Sequence, residues 1–450
     1  MALSGLDIYK LLPKTNCREC GFPTCLAFAM QLAKKSAVID KCPYVTADAK
    51  AALDSASQPP IRLVSIGSGE KKLDIGNETV MFRHEEKFRN PCGIGFIIDD
   101  SLTDPEIKKT LQRINELTFE RVGQVLAVNL AAVRQNSNKK RFCDVVKTVS
   151  GGTACGMVLM TENKEALQEA LELTKGKNPL VYRVTAENIF SLAETVKKYK
   201  VPVVAASATL EGISGLTQEL IKQGITELVL DAGTKPLAEK IGDVTQMRRL
   251  ALKKSARSLG YPTLAVVERA DRFEECLEAA TFILKYGGIA LLKGTESWQA
   301  LALLTLRQNI YSDPQKPLQI EPKVYPIGAV TDSSPALVTT NFSLSYYTVL
   351  GEVEASKVPS YILSVDTEGM SVLTAWAAEK FTPSQVSASM KKSGLENMVG
   401  HRTLIIPGYV AVMSGELEDV SGWKIVVGPK EAAGLPSFLK NLSVPCAVKN

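Results

Sequence analysis

The sequence predicts an α/β protein of three successive modules: a short cysteine-rich one, a (β/α)8 TIM barrel, and a smaller doubly wound domain of Rossmann or flavodoxin type. Three observations carry this. Cys17, Cys20, Cys25 and Cys42 crowd the N-terminus. From Gly93 onward, short apolar runs recur about every 28 residues, each followed by a helical pattern, as a barrel of eight strand–helix units requires. After a proline-rich break, a second and shorter alternation of strands and helices begins.

The first module, residues 1–57, is organised around Cys17-Arg-Glu-Cys20-Gly-Phe-Pro-Thr-Cys25, with Cys42-Pro43 sixteen residues further on. Thiolates are the ligands that iron–sulfur clusters select, and four of them hold one cubane. Gly21 and Pro23 suit a chain wrapped tightly around an inorganic core. Residues 26–37 read as a short helix with Leu26, Ala29, Met30 and Ala33 on one stripe, an apolar lid that carries the chain back to Cys42. A structural zinc site also uses four cysteines, but more often as two C-x2-4-C pairs, and only Cys17 and Cys20 form one. Nothing marks the chain for secretion, so a disulfide framework is disfavoured. The other cysteines, Cys92, Cys143, Cys155, Cys276 and Cys446, stand alone and read as buried thiols.

At 450 residues the chain is too long for one core. Its 45% hydrophobic and 22% charged residues are an ordinary soluble balance, and no apolar run is long enough to span a membrane. The N-terminus lacks the features of a signal peptide, so a cytoplasmic location is expected. A net charge of +5 is dispersed, Lys139-Lys140-Arg141 being its densest run, and basic residues are not interleaved with aromatics, so nucleic acid is not indicated. Only His84 and His401 are available for histidine chemistry.

A small helix at residues 47–53 and the Gln58-Pro59-Pro60 break end the first module. Residues 58–92 form a linker and β-ribbon, in which 61–66 and 73–82 alternate around glycine turns and suit a floor or strap. The barrel is placed at residues 93–311, with strands at 94–98, 124–130, 157–160, 180–184, 201–205, 227–230, 264–267 and 289–292. An open doubly wound sheet is the alternative. Asp99, Asp100, Asn129, Glu162, Arg183, Ser207, Asp231, Glu268 and Lys293 stand where these strands end, the face on which barrels usually carry their site. No acid/base pair is assigned among them.

Residues 312–326 hold four prolines and read as a second linker. In the last module, 327–450, strands are expected at 336–340, 360–365, 403–406 and 423–427. Helices are expected at 344–356, 370–380, 383–391, 409–417 and 430–441. That order predicts a parallel sheet covered on both faces, with ligands at its carboxyl edge. Three loops there, 339–343, 366–371 and 406–409, lead into helix N-termini, whose free N–H groups suit a phosphate or the amides of a large cofactor. Ordinary N-capping by Thr and Ser reads the same way. Neither G-x-G-x-x-G nor a Walker motif occurs in them.

The order of parts, with the C-x2-C-G-x3-C run, the distant C-P and the loop from Asp366 to Thr374, resembles the large subunit of the corrinoid/iron–sulfur protein of the reductive acetyl-CoA pathway over essentially the whole chain. The resemblance implies one [4Fe-4S] cluster on Cys17, Cys20, Cys25 and Cys42. It implies a base-off, cobalamin-type corrinoid held between the last module and a smaller barrel subunit, in a heterodimer. Contacts to that corrinoid are implied at Thr340, Tyr346, Met370, Ser371, Val372, Leu373, Thr374, Gly434 and Leu435.

Such a protein is a methyl carrier in a corrinoid-dependent methyltransferase system. Cobalt takes a methyl group from a methyltetrahydrofolate-dependent methyltransferase and passes it to acetyl-CoA synthase, and the cluster re-reduces Co(II) to Co(I). Neither histidine lies in the D-x-H-x-x-G motif that ligates cobalt in many cobalamin-dependent methyltransferases. A protein ligand is therefore not expected, which eases that reduction, and Thr374 is placed nearest the lower face of cobalt. Two other readings remain open at this point: a ferredoxin-like electron-transfer subunit without a corrinoid, and a barrel methyltransferase that uses a pterin.

Overall fold

The structure, a computed structural model, describes residues 5–33, 36–46, 49–50 and 59–442. The chain divides into two compact units, residues 1–118 with 127–311, and residues 119–126 with 312–450. Most of the expected helix at 47–53, part of that at 26–37, Gln58 and Cys446 lie outside the described residues.

In the first unit, helices α1 (Gly5–Leu11) and α2 (Cys25–Ala33) build a small core of Ile8, Leu12, Cys25, Phe28, Ala29 and Cys42. An antiparallel ribbon follows, β1 (Val64–Ile66) and β2 (Leu73–Ile75), with Val64 opposite Ile75 and Ile66 opposite Leu73. Those four side chains join Leu130, Leu180, Leu264 and Ile289 in one buried cluster, so the ribbon is the apolar floor of the barrel. Asn178 fastens it, donating from Nδ2 to the Ser65 carbonyl at 2.8 Å and accepting from the Gly67 N–H at 2.8 Å.

The barrel begins with β3 (Gly93–Asp99) and α3 (Asp104–Glu116), the helix opened by a capping box between Thr103 and Glu106. A hairpin of β4 (Thr118–Arg121) and β5 (Gln124–Ala127) intervenes before β6 (Leu130–Arg134). The chain then runs through α4 (Lys139–Gly152), β7 (Gly156–Met160), α5 (Lys164–Leu173), β8 (Leu180–Val184), α6 (Ile189–Tyr199), β9 (Val203–Ala206) and α7 (Leu210–Lys222). It ends with β10 (Leu228–Asp231), α8 (Leu237–Lys254), β11 (Thr263–Val267), α9 (Arg272–Leu284), β12 (Gly287–Leu292) and α10 (Ser297–Tyr311). Eight strands close on themselves, β12 pairing with β3 through Ile289 and Gly93. Their continuous runs of buried Val, Ile, Leu and Ala are what strands covered by helices outside and side chains inside require.

One strand differs from the expected set. Residues 124–127 are not in the barrel; they form the hairpin, whose residues 119–126 belong to the second unit. Val122 and Gly123, at φ +56° and +67°, make its two-residue turn, and Val122 is buried in the second unit's core. The barrel strand starts at Leu130, so Asn129 stands at the amino end, where its Oδ1 accepts from the Ile94 N–H at 3.3 Å and from the Arg307 guanidinium.

The second unit is a five-stranded mixed sheet in the order β13 (Val324–Ile327), β15 (Ser360–Val365), β14 (Ala336–Thr340), β16 (Thr403–Ile406), β17 (Lys424–Val427). The last four are parallel, and β13, which falls partly in the expected linker, is an antiparallel edge. The all-parallel expectation is corrected to that extent. Residues of α11 (Ser343–Ser356) and α15 (Leu435–Lys440) pack with Leu337, Ile362 and Ile405 on one face. On the other, residues of α12 (Val372–Ala377), α13 (Pro383–Lys392) and α14 (Ser414–Ser421) pack with Val338, Leu363 and Leu404. The helix expected at 370–380 is only α12, ended by Glu379 at φ +56° and the buried Phe381. Among the described residues no helix is long and apolar enough to cross a membrane.

Candidate functional site

In the N-terminal loop, Asn16 and Arg18 at φ +51° and +68° and Gly21 at φ +82° coil the chain, and α2 begins at Cys25. The Asn16 N–H points at Cys25 Sγ, 3.4 Å away, while its Oδ1 accepts from the Cys25 N–H at 2.8 Å. Cys25 and Cys42 are buried in the module's core with Cys20 packed at its edge, and Cys17 and Cys20 are half-buried. All four are free thiols. Among the described residues no three metal-ligating side chains are gathered into a preassembled group. The donor set itself suits a thiolate-ligated cluster, and an N–H aimed at a sulfur is the kind of contact that tunes one. Beside the loop, the hydrogen bond from the Tyr44 hydroxyl to Glu19, at 2.8 Å, raises the Tyr44 pKa, with smaller contributions from Cys17 and Cys42.

The cysteines of the barrel differ in kind. Cys92, Cys143, Cys155 and Cys276 are all buried, and burial pushes their thiols up, to about 12 for Cys92 and about 11 for Cys143. Thiols so held are inert at neutral pH.

The carboxyl edge of the second unit's sheet carries a cleft of about 310 Å³. The three loops singled out in the sequence meet there: Thr339 and Phe342 from the first, Ser371 from the second, Pro407 and Tyr409 from the third. Its walls are mostly apolar, Leu337, Leu344, Ile405 and Leu435 among them, and among the described residues Lys430 is the one charged residue on them. A Cβ on Gly408 would come within 2.6 Å of the Gly428 carbonyl oxygen and 2.8 Å of the Lys430 nitrogen, so only glycine allows this approach. Neither α11 nor α12 has a side-chain N-cap; the Ser343 N–H donates to the Leu318 carbonyl at 3.0 Å, and the N–H groups of Leu344 and Ser345, both on the cleft wall, are unclaimed by capping.

Of the nine residues expected at a corrinoid, Ser371, Val372 and Leu435 line this cleft. Thr340 is fully buried and its hydroxyl has no partner. Tyr346 is buried behind the cleft wall, its ring 4.8 Å from that of Tyr325, and burial raises its hydroxyl pKa. Half-buried Met370 packs into the core on the opposite face of the sheet. Leu373 is exposed, the Thr374 hydroxyl is bonded to that of Ser371 at 2.9 Å, and Gly434 lies against Pro429 off the cleft wall. The sequence reading missed the role of Asn341. Fully buried, it accepts at Oδ1 from the Thr367 N–H, the Thr367 hydroxyl and the Gly369 N–H, each at 3.0 Å, and donates to Asp366 at 3.1 Å. One amide thereby fixes the loop that leads to Ser371.

At the carboxyl mouth of the barrel, Arg134 bridges Asp99 and Glu268, Lys293 reaches Asp99 at 3.1 Å, and Arg183 pairs with Glu162 at 3.2 Å. Tyr182 donates its hydroxyl to the buried Asp231 at 2.9 Å.

A family model described as "CO dehydrogenase/acetyl-CoA synthase delta subunit" matches residues 63–439, and one described as "Putative Fe-S cluster" matches residues 12–44. The chain is 43% identical to the corrinoid/iron-sulfur protein large subunit of Moorella thermoacetica, over 98% of this chain and 99% of that protein. It is 35% identical to the acetyl-CoA decarbonylase/synthase complex subunit gamma of Methanothermobacter thermautotrophicus, over 98% and 100% of the two chains. With the subunit gamma of Methanocaldococcus jannaschii the identity is 33%, over 98% and 96%. Among solved structures, 7,8-dihydropteroate synthase from Vibrio fischeri ES114 gives a TM-score of 0.40 at 13% identity over 55% of this chain and 97% of that one, a likeness too weak to bear on function. The end-to-end similarity settles the family: the chain is a member of the corrinoid/iron-sulfur protein large subunits, a family that includes the gamma subunits of acetyl-CoA decarbonylase/synthase complexes.

Proposed function

We propose that this chain is the methyl-carrier subunit of a corrinoid-dependent methyltransferase system, working as a heterodimer with a small barrel subunit between a methyltetrahydrofolate-dependent methyltransferase and acetyl-CoA synthase. Bound corrinoid cobalt supplies a nucleophile that takes and releases the methyl group, and a [4Fe-4S] cluster supplies the single electrons that restore it after accidental oxidation. The observation that carries this reading is the 43% identity to the Moorella large subunit over 98% of this chain.

Cys17, Cys20, Cys25 and Cys42 hold the cluster, and the Asn16 N–H, 3.4 Å from Cys25 Sγ, moderates charge on that sulfur. At the C-terminal cleft, Leu337, Leu344 and Leu435 offer apolar surface to the rim of a macrocycle, and the first-turn amides of α11 suit its carboxamide side chains. Ser371, Val372 and Leu435 are the direct contacts. Asn341, Thr340 and Tyr346 position them. A cleft of about 310 Å³ takes only part of a corrinoid, which suits a group shared with the partner subunit. The absence of an imidazole ligand is supported at His401: its Nε2 bonds the Ser334 carbonyl at 2.9 Å and its Nδ1 accepts from the Thr403 N–H at 3.3 Å, so both ring nitrogens are engaged.

The test is metal analysis of the chain made anaerobically with its small subunit. Stoichiometric cobalt and a reduced cubane EPR signal, the latter lost in Cys42→Ala and kept in Cys143→Ala, are expected. Iron without corrinoid would select the electron-transfer reading, and methyl-pterin turnover by this chain alone would select the barrel methyltransferase. A chain starting near residue 57 should accept a methyl group after chemical reduction yet fail to be reactivated by a protein electron donor; equal reactivation would remove the repair role from the cluster.

A further inference from the structure

The carboxyl mouth of the barrel opens into a cavity of about 1090 Å³ that the methyl-carrier reading does not use. Arg134, Arg183, Lys235, Lys240 and Arg269 face it against Glu162, Glu268 and Glu278, so cations predominate on its wall. Four of these cations are matched. Arg134 pairs with Asp99 and Glu268, Arg183 with Glu162, Lys235 with Asp243, and Arg269 with Glu278 at 2.6 Å.

Lys240 is the exception. It is 5% exposed, yet among the described residues no carboxylate is paired with it. Its ammonium has one contact at the limit of hydrogen bonding, 3.5 Å to the Val266 carbonyl, and lies 5.4 Å from the centroid of the Phe282 ring. An ammonium has three donors, so at least two are without an acceptor among the described residues. A cation buried in that state is costly until an anion completes it.

A second feature points into the same cavity. Lys240 stands in the first turn of α8, a helix of 18 residues whose N-cap is Pro236, with no side-chain cap. The first intrahelical bond at this end runs from the Lys240 N–H to the Pro236 carbonyl at 3.1 Å, so the N–H groups of Leu237, Ala238 and Glu239 precede it. Pro236 and Leu237 both line the cavity, which brings the positive end of the helix and the ammonium to one wall.

We propose that the barrel mouth is a binding site for a small organic anion, a carboxylate or phosphate monoester, whose charged group lies between the Lys240 ammonium and the first turn of α8. The cavity is far larger than one oxyanion needs. The remainder of the ligand meets the hydrogen-bonding wall of Gln135, Asn136, Thr161 and Tyr182. This site is independent of the corrinoid and cluster assignments.

The test titrates the full-length protein, with its small subunit, by calorimetry at low ionic strength, using inorganic phosphate and succinate as probes. At least one should bind saturably at one site. Lys240→Met keeps the apolar stem against Phe282 and removes the charge, and should weaken binding roughly tenfold or more. Lys222→Met, the same charge change on an exposed side chain of α7, should leave binding as it was. A measurement on the unmodified chain guards against a folding defect in Lys240→Met: hydrogen exchange in the peptide spanning 237–239 should slow when the probe is bound. Binding of phosphate alone identifies a phosphate ester and of succinate alone a carboxylate, and either supports the site. No saturable binding by either probe overturns it, as does probe binding that leaves exchange at 237–239 unchanged.

Discussion

Two carboxyl edges of parallel strands, the barrel mouth and the C-terminal cleft, follow one topological rule and carry opposite chemistry. The mouth is walled by charges matched in pairs, with Lys240 left over, whereas the cleft is walled by leucine, isoleucine and backbone, with Lys430 its one charge. The cleft is shaped by how closely the chain approaches itself. The mouth is shaped by which charges are neutralised. Strand ends decide where a ligand goes, and the loops beyond them decide what it is.

That contrast predicts that backbone and packing changes will damage the cleft most. Asn341→Leu should have the largest effect, because it leaves the N–H groups of Thr367 and Gly369 and the Thr367 hydroxyl without their common acceptor. A loss of about 3 kcal/mol in urea unfolding of the C-terminal unit is expected, together with loss of bound corrinoid. Stability within 1 kcal/mol or so of the parent would show that Asn341 does not organise the loop. Gly408→Ala should cost about 2 kcal/mol, since the new Cβ meets backbone atoms of residues 428–430 that no rotamer can move aside. Retention of corrinoid at the parent level would detach the cleft from the proposed function.

At the mouth the corresponding sensitivity is to acid. Burial alone would raise the Asp99 pKa, but hydrogen bonds and charge from Arg134 and Lys293 outweigh it and hold the carboxyl below its ordinary 3.8. Because the folded value is the lower one, the stabilisation is complete above pH 3.8 and is lost as the pH falls through the folded value. Thermal melting of the parent and of Asp99→Asn between pH 5 and pH 2.5 should therefore converge toward the acid end. Parallel curves would mean that the folded barrel leaves the Asp99 pKa where the unfolded chain has it.

The two edges also differ in how far the sequence disclosed them. Seven barrel strands were legible because each is a short buried run between polar ends. The second was misplaced: apolar character continues from Val125 through Val128 up to the true strand at Leu130, and nothing local tells residues 119–126 that their core lies in the other unit. Cysteine spacing and the three C-terminal loops were legible because turn residues and thiols carry their chemistry in their identity. Asn341 and Lys240 were not. Each is an ordinary polar residue at the start of a helix, and its role depends on partners far along the chain, present for Asn341 and missing for Lys240.

The smallest effect expected tests whether the paired charges at the mouth stabilise the barrel at all. Arg183 and Glu162 lie 3.2 Å apart with side chains 34% and 57% exposed. An ion pair so open to water gains little from attraction, because solvent and salt screen it and two long side chains lose freedom in making it. A double-mutant cycle with Arg183→Gln and Glu162→Gln should give a coupling energy of no more than about 0.5 kcal/mol, falling further in 0.5 M salt. If the pair instead couples by 2 kcal/mol or so, the mouth is drier than its exposure indicates. The matched charges would then be part of the barrel's stability, and the difference between the two edges would be one of degree.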